Sequence, residues 1–102
     1  GVGANPDRLV IANNYKGMTY RDPMALADSI AGALKADDRA DYAIVLSHIG
    51  YRPGKAGLPS DSVMALSSSN IDLILGGHSH TSIRPPAITN TCLQTRLAKM
   101  FW

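Results

Sequence analysis

Three histidines, His48, His78 and His80, carry the chemistry this sequence can offer. His48 directly follows one apolar run, and His78 and His80 follow a second one after Gly76 and Gly77. Imidazole nitrogen suits zinc, iron, manganese or nickel, and a His-x-His pair can serve one ion or two neighbouring ions. Gly76 and Gly77 lack a Cβ, which permits a sharp strand exit and close approach of backbone to a bound ion or phosphate. Ser47 and Ser79 flank the histidines and can orient them by hydrogen bonds. Each feature has a plainer reading as well. A His-x-His pair also occurs in polar loops, a single strand-end histidine is explained by hydrogen bonding, and both serines fit simple loop roles. Asp61 and Asp72 are further carboxylates, but a helix cap and a strand-start residue explain them with less. Cys92 reads as a small packed hydrophobe, since no histidine or basic cluster lies near it in sequence. Tyr15, Tyr20 and Tyr51 read as amphipathic packing residues at sheet edges.

Whether the histidines meet depends on the elements that carry them. Tyr42 to Ser47 (YAIVLS) is a continuous apolar run of strand length, the pattern of a strand buried on both faces in a parallel sheet. A loop with Gly50, Pro53, Gly54, Gly57 and Pro59 follows, and Ser60 or Asp61 then caps a short helix carrying Val63, Met64 and Leu66. Ile71 to Leu75 (IDLIL) is the next strand. A strand-helix-strand unit crosses over right-handedly, so both strands leave their carboxyl ends on one rim, where open α/β sheets bind ligands. That convergence makes His48, His78 and His80 the candidate metal ligands. Upstream, Asp22-Pro23 starts a helix in which Leu26, Ala27, Ile30, Ala33 and Leu34 recur at helical spacing, ending near Ala36 before Asp37-Asp38. Leu9 to Asn13 reads as a short strand after a turn-rich opening, and Ala87 to Thr89 as the start of another; the final CLQTRLAKMFW has no strong pattern.

Composition bounds the function classes. The 102 residues are one domain's worth or less, and 45% hydrophobic with 18% charged residues is a globular balance. Ten Lys and Arg oppose eight acids, all Asp, for a net charge of +2. Arg96 and Lys99 account for that excess, so no basic stripe marks a nucleic-acid footprint. The single Cys92 excludes an internal disulfide and a cysteine-based zinc knuckle. No apolar run reaches the roughly 20 residues that cross a bilayer, and no signal-peptide pattern opens the chain.

The runs Ile44 to Tyr51 (IVLSHIGY) and Asn70 to Thr81 (NIDLILGGHSHT), with Ser60-Asp61 ahead of a short helix between them, closely resemble the 5'-nucleotidase branch of the calcineurin-like metallophosphoesterases. Asn14 to Pro23 (NYKGMTYRDP) and the helix after it are similar to that branch too. The resemblance implies an α/β fold, a four-layer α/β/β/α sandwich with a two-metal centre of zinc, manganese, iron or similar ions at the rim of its sheets. It implies that His48 and His78 ligate one metal and that His80 approaches the other. The implied activity is hydrolysis of nucleotides or other phosphate esters, and the family is commonly periplasmic or extracellular.

The family pattern also has an Asp-x-His pair, a Gly-Asp carboxylate that bridges the ions, and an Asn-His element that protonates the leaving group; none occurs in these residues. Residues 1–90 therefore read as the C-terminal portion of such a domain, and 91–102 as a divergent tail, frame-shifted or truncated. The expectation is a fragment without a catalytic residue of its own that binds at most one ion and is inactive or nearly so alone. Its expected partners are the missing N-terminal half of the domain and, in the intact domain, a phosphate ester or nucleotide; neither nucleic acid nor membrane is expected. The competing reading is a non-catalytic metal-binding or interaction fragment with an uncovered sheet face and open edges.

Overall fold

The structure, a computed structural model, describes residues 1–55, 57–82 and 100–101. Strand β1 (Val2–Gly3) is followed by two 3-10 turns, Pro6–Arg8 and Ala12–Asn14, then by helix α1 (Pro23–Ala36), strand β2 (Ile44–His48), helix α2 (Asp61–Ser67), β3 (Leu73–Leu75) and β4 (Met100–Phe101). The strands are parallel and stand in the sheet in chain order, β1-β2-β3-β4. The central register pairs Ile44 with Leu73, Val45 with Ile74 and Leu46 with Leu75. The strand-helix-strand unit read from the sequence is thus present as an α/β arrangement, β2-α2-β3.

Local chemistry explains both helices. Asp22 Oδ1 accepts the Met24 N–H at 2.8 Å, and Pro23, which has no N–H to lose, takes the first helical position. At the other end Asp38 turns left-handed at φ 52°, the Asp38 N–H reaches Lys35 O and the Arg39 N–H reaches Leu34 O at 3.0 Å. This is a Schellman closure, achieved without glycine at a cost that a short Asp side chain tolerates. For α2, Ser60 is the N-cap, its Oγ accepting the Val63 N–H.

The sheet differs from expectation in one consequential respect. Both crossovers advance across the sheet in the same direction, so right-handed connections place α1 and α2 on the same face. The core reflects this: Ala31 of α1 and Met64 and Ala65 of α2 pack with Val45 and Ile74 of the sheet. β2 is therefore not buried on both faces. Val45 and Ser47 face the helices, whereas Ile44 is 57% and Leu46 60% exposed, with Leu75 beside them at 39%. Among the described residues there are two layers, one sheet and one layer of helices.

The strand expected at Leu9 to Asn13 is absent. Asn5 Oδ1 accepts the Asp7 N–H, Pro6 starts a tight turn, and the Leu9 and Val10 N–H groups both turn back to Pro6 O at 3.0 Å. Those bonds satisfy the backbone locally and leave Leu9, Val10 and Ile11 exposed. The edge strand is Val2–Gly3 instead, drawn from the opening read as a turn. Ala87 to Thr89 lies outside the described residues, as does most of the tail, although the backbone of Met100–Phe101 pairs with Ile74 and Leu75.

Two carboxylates lock the helical layer to the sheet. Asp28 Oδ1 on α1 accepts the N–H groups of Ser69 and Asn70 at 2.9 and 2.8 Å, and its Oδ2 accepts from Asn70 Nδ2. Asp72 Oδ2 accepts the Ala43 N–H and pairs with Lys35 at 2.6 Å, joining α1 to the starts of β2 and β3. The plain reading of Asp72 as a strand-start residue therefore has a structural basis.

Candidate metal site at the carboxyl rim

His48 ends β2, and the parallel register puts it on the same rim as the Gly76-Gly77-His78 exit of β3. Its side chain shares the open face with Ile44 and Leu46, as the alternation of a strand requires. The His48 and His78 rings meet edge to face, centroids 5.1 Å apart at 75°. Gly77 makes the meeting possible: a Cβ there would stand 3.1 Å from His48 Nδ1 and 3.4 Å from Ser47 O. The close approach that Gly77 permits is thus to an imidazole. Gly50, at φ +95°, turns beneath His78, where a Cβ would lie 3.5 Å from Cδ2. His78 and His80 themselves hold positive φ values, 78° and 52°. Such backbone strain in side-chain-bearing residues concentrates where the surrounding structure over-determines a conformation, functional rims among them.

His80 is exposed, and no group of three His, Cys, Asp or Glu in metal-holding arrangement occurs among the described residues. The structure thus brings together two of the three candidate ligands. Two imidazoles bound to one ion through nitrogen at roughly 2.0 Å, at a tetrahedral angle, would place their ring centroids about 5 Å apart, and the His48–His78 centroid separation is of that size.

The flanking serines brace loops. The Ser47 hydroxyl donates to Asp61 Oδ1. Ser79 Oγ accepts the Tyr51 N–H at 3.0 Å and bonds with Thr81 Oγ1, tying the histidine loop to the chain just beyond His48. Arg52 lies over the Tyr51 ring at 5.7 Å. A cavity of about 400 Å³ lies elsewhere, between residues 1–4, 18–21 and α1, and no histidine lines it.

Asp61 is the residue that sequence reasoning undervalued. It is not the cap of α2, a role Ser60 fills, but its first residue, completely buried. Oδ1 takes the Ser47 hydroxyl while Oδ2 has no hydrogen-bond partner among the described residues. Burial pushes the Asp61 carboxyl above the usual carboxylate range, partly countered by the Ser47 hydrogen bond and the nearby His48. Positions 61, 64 and 65 form the inward stripe of α2, a stripe the spacing alone does not single out, because Val63 and Leu66 are equally apolar and yet exposed.

Comparison with known proteins adds a distant relationship. The chain is 33% identical over 72 residues to a 5'-nucleotidase of Vibrio cholerae, covering 66% of this chain and 13% of that protein. It is 33% identical over 69 residues to a 5'-nucleotidase of Vibrio vulnificus, covering 63% and 12%. A trifunctional nucleotide phosphoesterase protein, YfkN, of Bacillus subtilis matches at 28% over 84 residues, 82% of this chain and 5% of the relative. The chain is distantly similar to 5'-nucleotidases. It spans about an eighth or less of the curated relatives it matches. No protein-family model matches it, and no solved structure does.

Proposed function

We propose that the chain is part of a metal-dependent phosphoesterase of the 5'-nucleotidase type, contributing a histidine rim to a two-metal centre that hydrolyses nucleotides or related phosphate esters. The observation that carries this reading is the edge-to-face His48–His78 pair where two parallel strands end. His48 and His78 would hold one divalent ion, and His80, on the same loop as His78, would reach toward a second. Such an ion supplies Lewis acidity toward a phosphoryl oxygen and activates water as the nucleophile. The protein's own part is geometric. Gly77 lets the rings approach, and Ser79 ties the histidine loop to Tyr51.

The open face bearing Ile44, Leu46, Leu75 and His48 is where the rest of a sandwich would pack. That packing would complete the four layers and bring the remaining ligands and a proton donor to the rim. Alone, the chain is expected to bind one ion and to turn over phosphate esters negligibly, because the members of a catalytic unit act together. Zinc titration of the wild-type chain and of His48→Ala and His78→Ala tests the site, with affinity expected in the first and lost in the variants. Equal zinc binding by all three would overturn it. A phosphatase assay with manganese or zinc tests the rest: turnover like that of an intact enzyme would refute incompleteness. The exposed apolar face favours a second reading, an interaction fragment whose histidines hold an ion without catalysis; restored phosphatase activity on adding the remainder of the domain would exclude it.

A further inference from the structure

We infer that Asp61 is a positioning residue for the histidine rim, acting through Ser47 to fix the His48 imidazole against His78. Three bonds from the first turn of α2 bracket His48. Ser47, immediately before it, donates its hydroxyl to Asp61 Oδ1. The Asp61 N–H donates to Gly50 O at 2.8 Å, and the Ser62 N–H to Tyr51 O at 3.0 Å. Strand alternation supplies the lever: residues 47 and 48 face opposite sides of the sheet, so anchoring Ser47 inward sets the tilt with which His48 leaves outward. The loop anchors then set where Gly50 lies beneath His78, and Ser79 Oγ, holding the Tyr51 N–H, closes the ring of contacts from the other strand. Asp61 touches neither histidine through a hydrogen bond, yet both rings rest on backbone that its side chain and amide hold. The completely buried Asp61, one oxygen bonded and the other without a hydrogen-bond partner among the described residues, is a costly residue for a helix that needs only an apolar stripe. Its position beneath the strand exit accounts for its presence.

The inference rests on the histidine pair read above as a metal site, but its test does not require metal. In NMR of the full chain, the wild type is expected to show a ring-to-ring NOE between His48 and His78. Ser47→Ala and Asp61→Ala are expected to lose that NOE and to move the His48 ring resonances while leaving those of His80 in place. Asp61→Asn keeps an acceptor for Ser47 and should restore the contact, which a general loss of stability would not predict. Should Asp61→Ala fail to fold, Ser47→Ala decides. A folded Ser47→Ala chain with wild-type His48 resonances and NOE would overturn the inference, as would Asp61→Asn behaving like the alanine variant. A wild-type chain that shows the ring contact but no zinc affinity would remove the metal reading and leave Asp61 in this role.

Discussion

Replacing Gly77 by alanine separates the geometry of the site from the stability of the fold. The added Cβ would sit 3.1 Å from His48 Nδ1, 3.4 Å from Ser47 O and 3.8 Å from His48 Cε1. The nearer contact demands a shift of a few tenths of an ångström, and the exposed imidazole can give way more easily than the backbone carbonyl. Rotating a side chain by about 30° off its rotamer costs of order 0.5–1.5 kcal/mol. Gly77 does not have a positive φ, so alanine fits its backbone, and the reduced freedom of the unfolded chain returns about 0.4–1 kcal/mol. The two effects nearly cancel, and stability in urea should change by less than about 1 kcal/mol. Metal binding has no such compensation. Ligand distances must hold to about 0.2 Å, so moving His48 by a few tenths should weaken zinc binding by roughly 10- to 100-fold. The assay is paired: urea denaturation by circular dichroism for stability, and calorimetric zinc titration for affinity. A variant that folds normally and binds zinc as the wild type does would refute the claim that His48 and His78 share an ion.

Three further outcomes follow from the packing and electrostatics. Met64→Ala empties a fully buried position between α2 and the sheet and should cost about 2–5 kcal/mol, read as a shift in urea midpoint; a change below about 1 kcal/mol would show that the core collapses around it. Asp28→Ala removes the acceptor of the Ser69 and Asn70 N–H groups and should cost about 1.5–3 kcal/mol, with faster amide exchange at both residues; unchanged exchange there would discount the clamp. Asp61 binds its proton more tightly folded than unfolded, because burial raises its value. Its favourable contribution is therefore full below the unfolded carboxylate range and is lost as pH rises through the raised folded value. The neutral Asp61→Asn variant should gain stability relative to wild type across that interval, and a difference independent of pH would contradict the burial.

The sequence determined a good deal by itself. Asp22-Pro23, Ser60 and the apolar runs act over a few residues, where capping geometry and strand pattern are decided by near neighbours; the helices start where those signals put them, and the inner strands, read at Tyr42 to Ser47 and Ile71 to Leu75, stand within two residues of that at Ile44–His48 and Leu73–Leu75. The placement of His48 and His78 at strand ends was equally legible, because parallel strands joined by a crossover leave their carboxyl ends together. Leu9 to Asn13 shows the limit of that logic. Its apolar residues satisfy a strand pattern, but Asn5 and Pro6 capture the backbone in a local turn, whereas Val2–Gly3 becomes a strand only because β2 offers an edge. The face of a strand is likewise a property of its neighbours: Ile44 and Leu46 are as apolar as Val45, yet both helices cross on the other side. Asp61 is the sharpest case. As a letter after Ser60 it looked like a cap, and only tertiary packing, by burying it against Ser47 beneath His48, made it part of the candidate site. Local order was written in residue spacing; which groups became buried, strained or adjacent depended on contacts between residues 14 to 42 positions apart, such as Ser47 with Asp61 and Asp28 with Asn70.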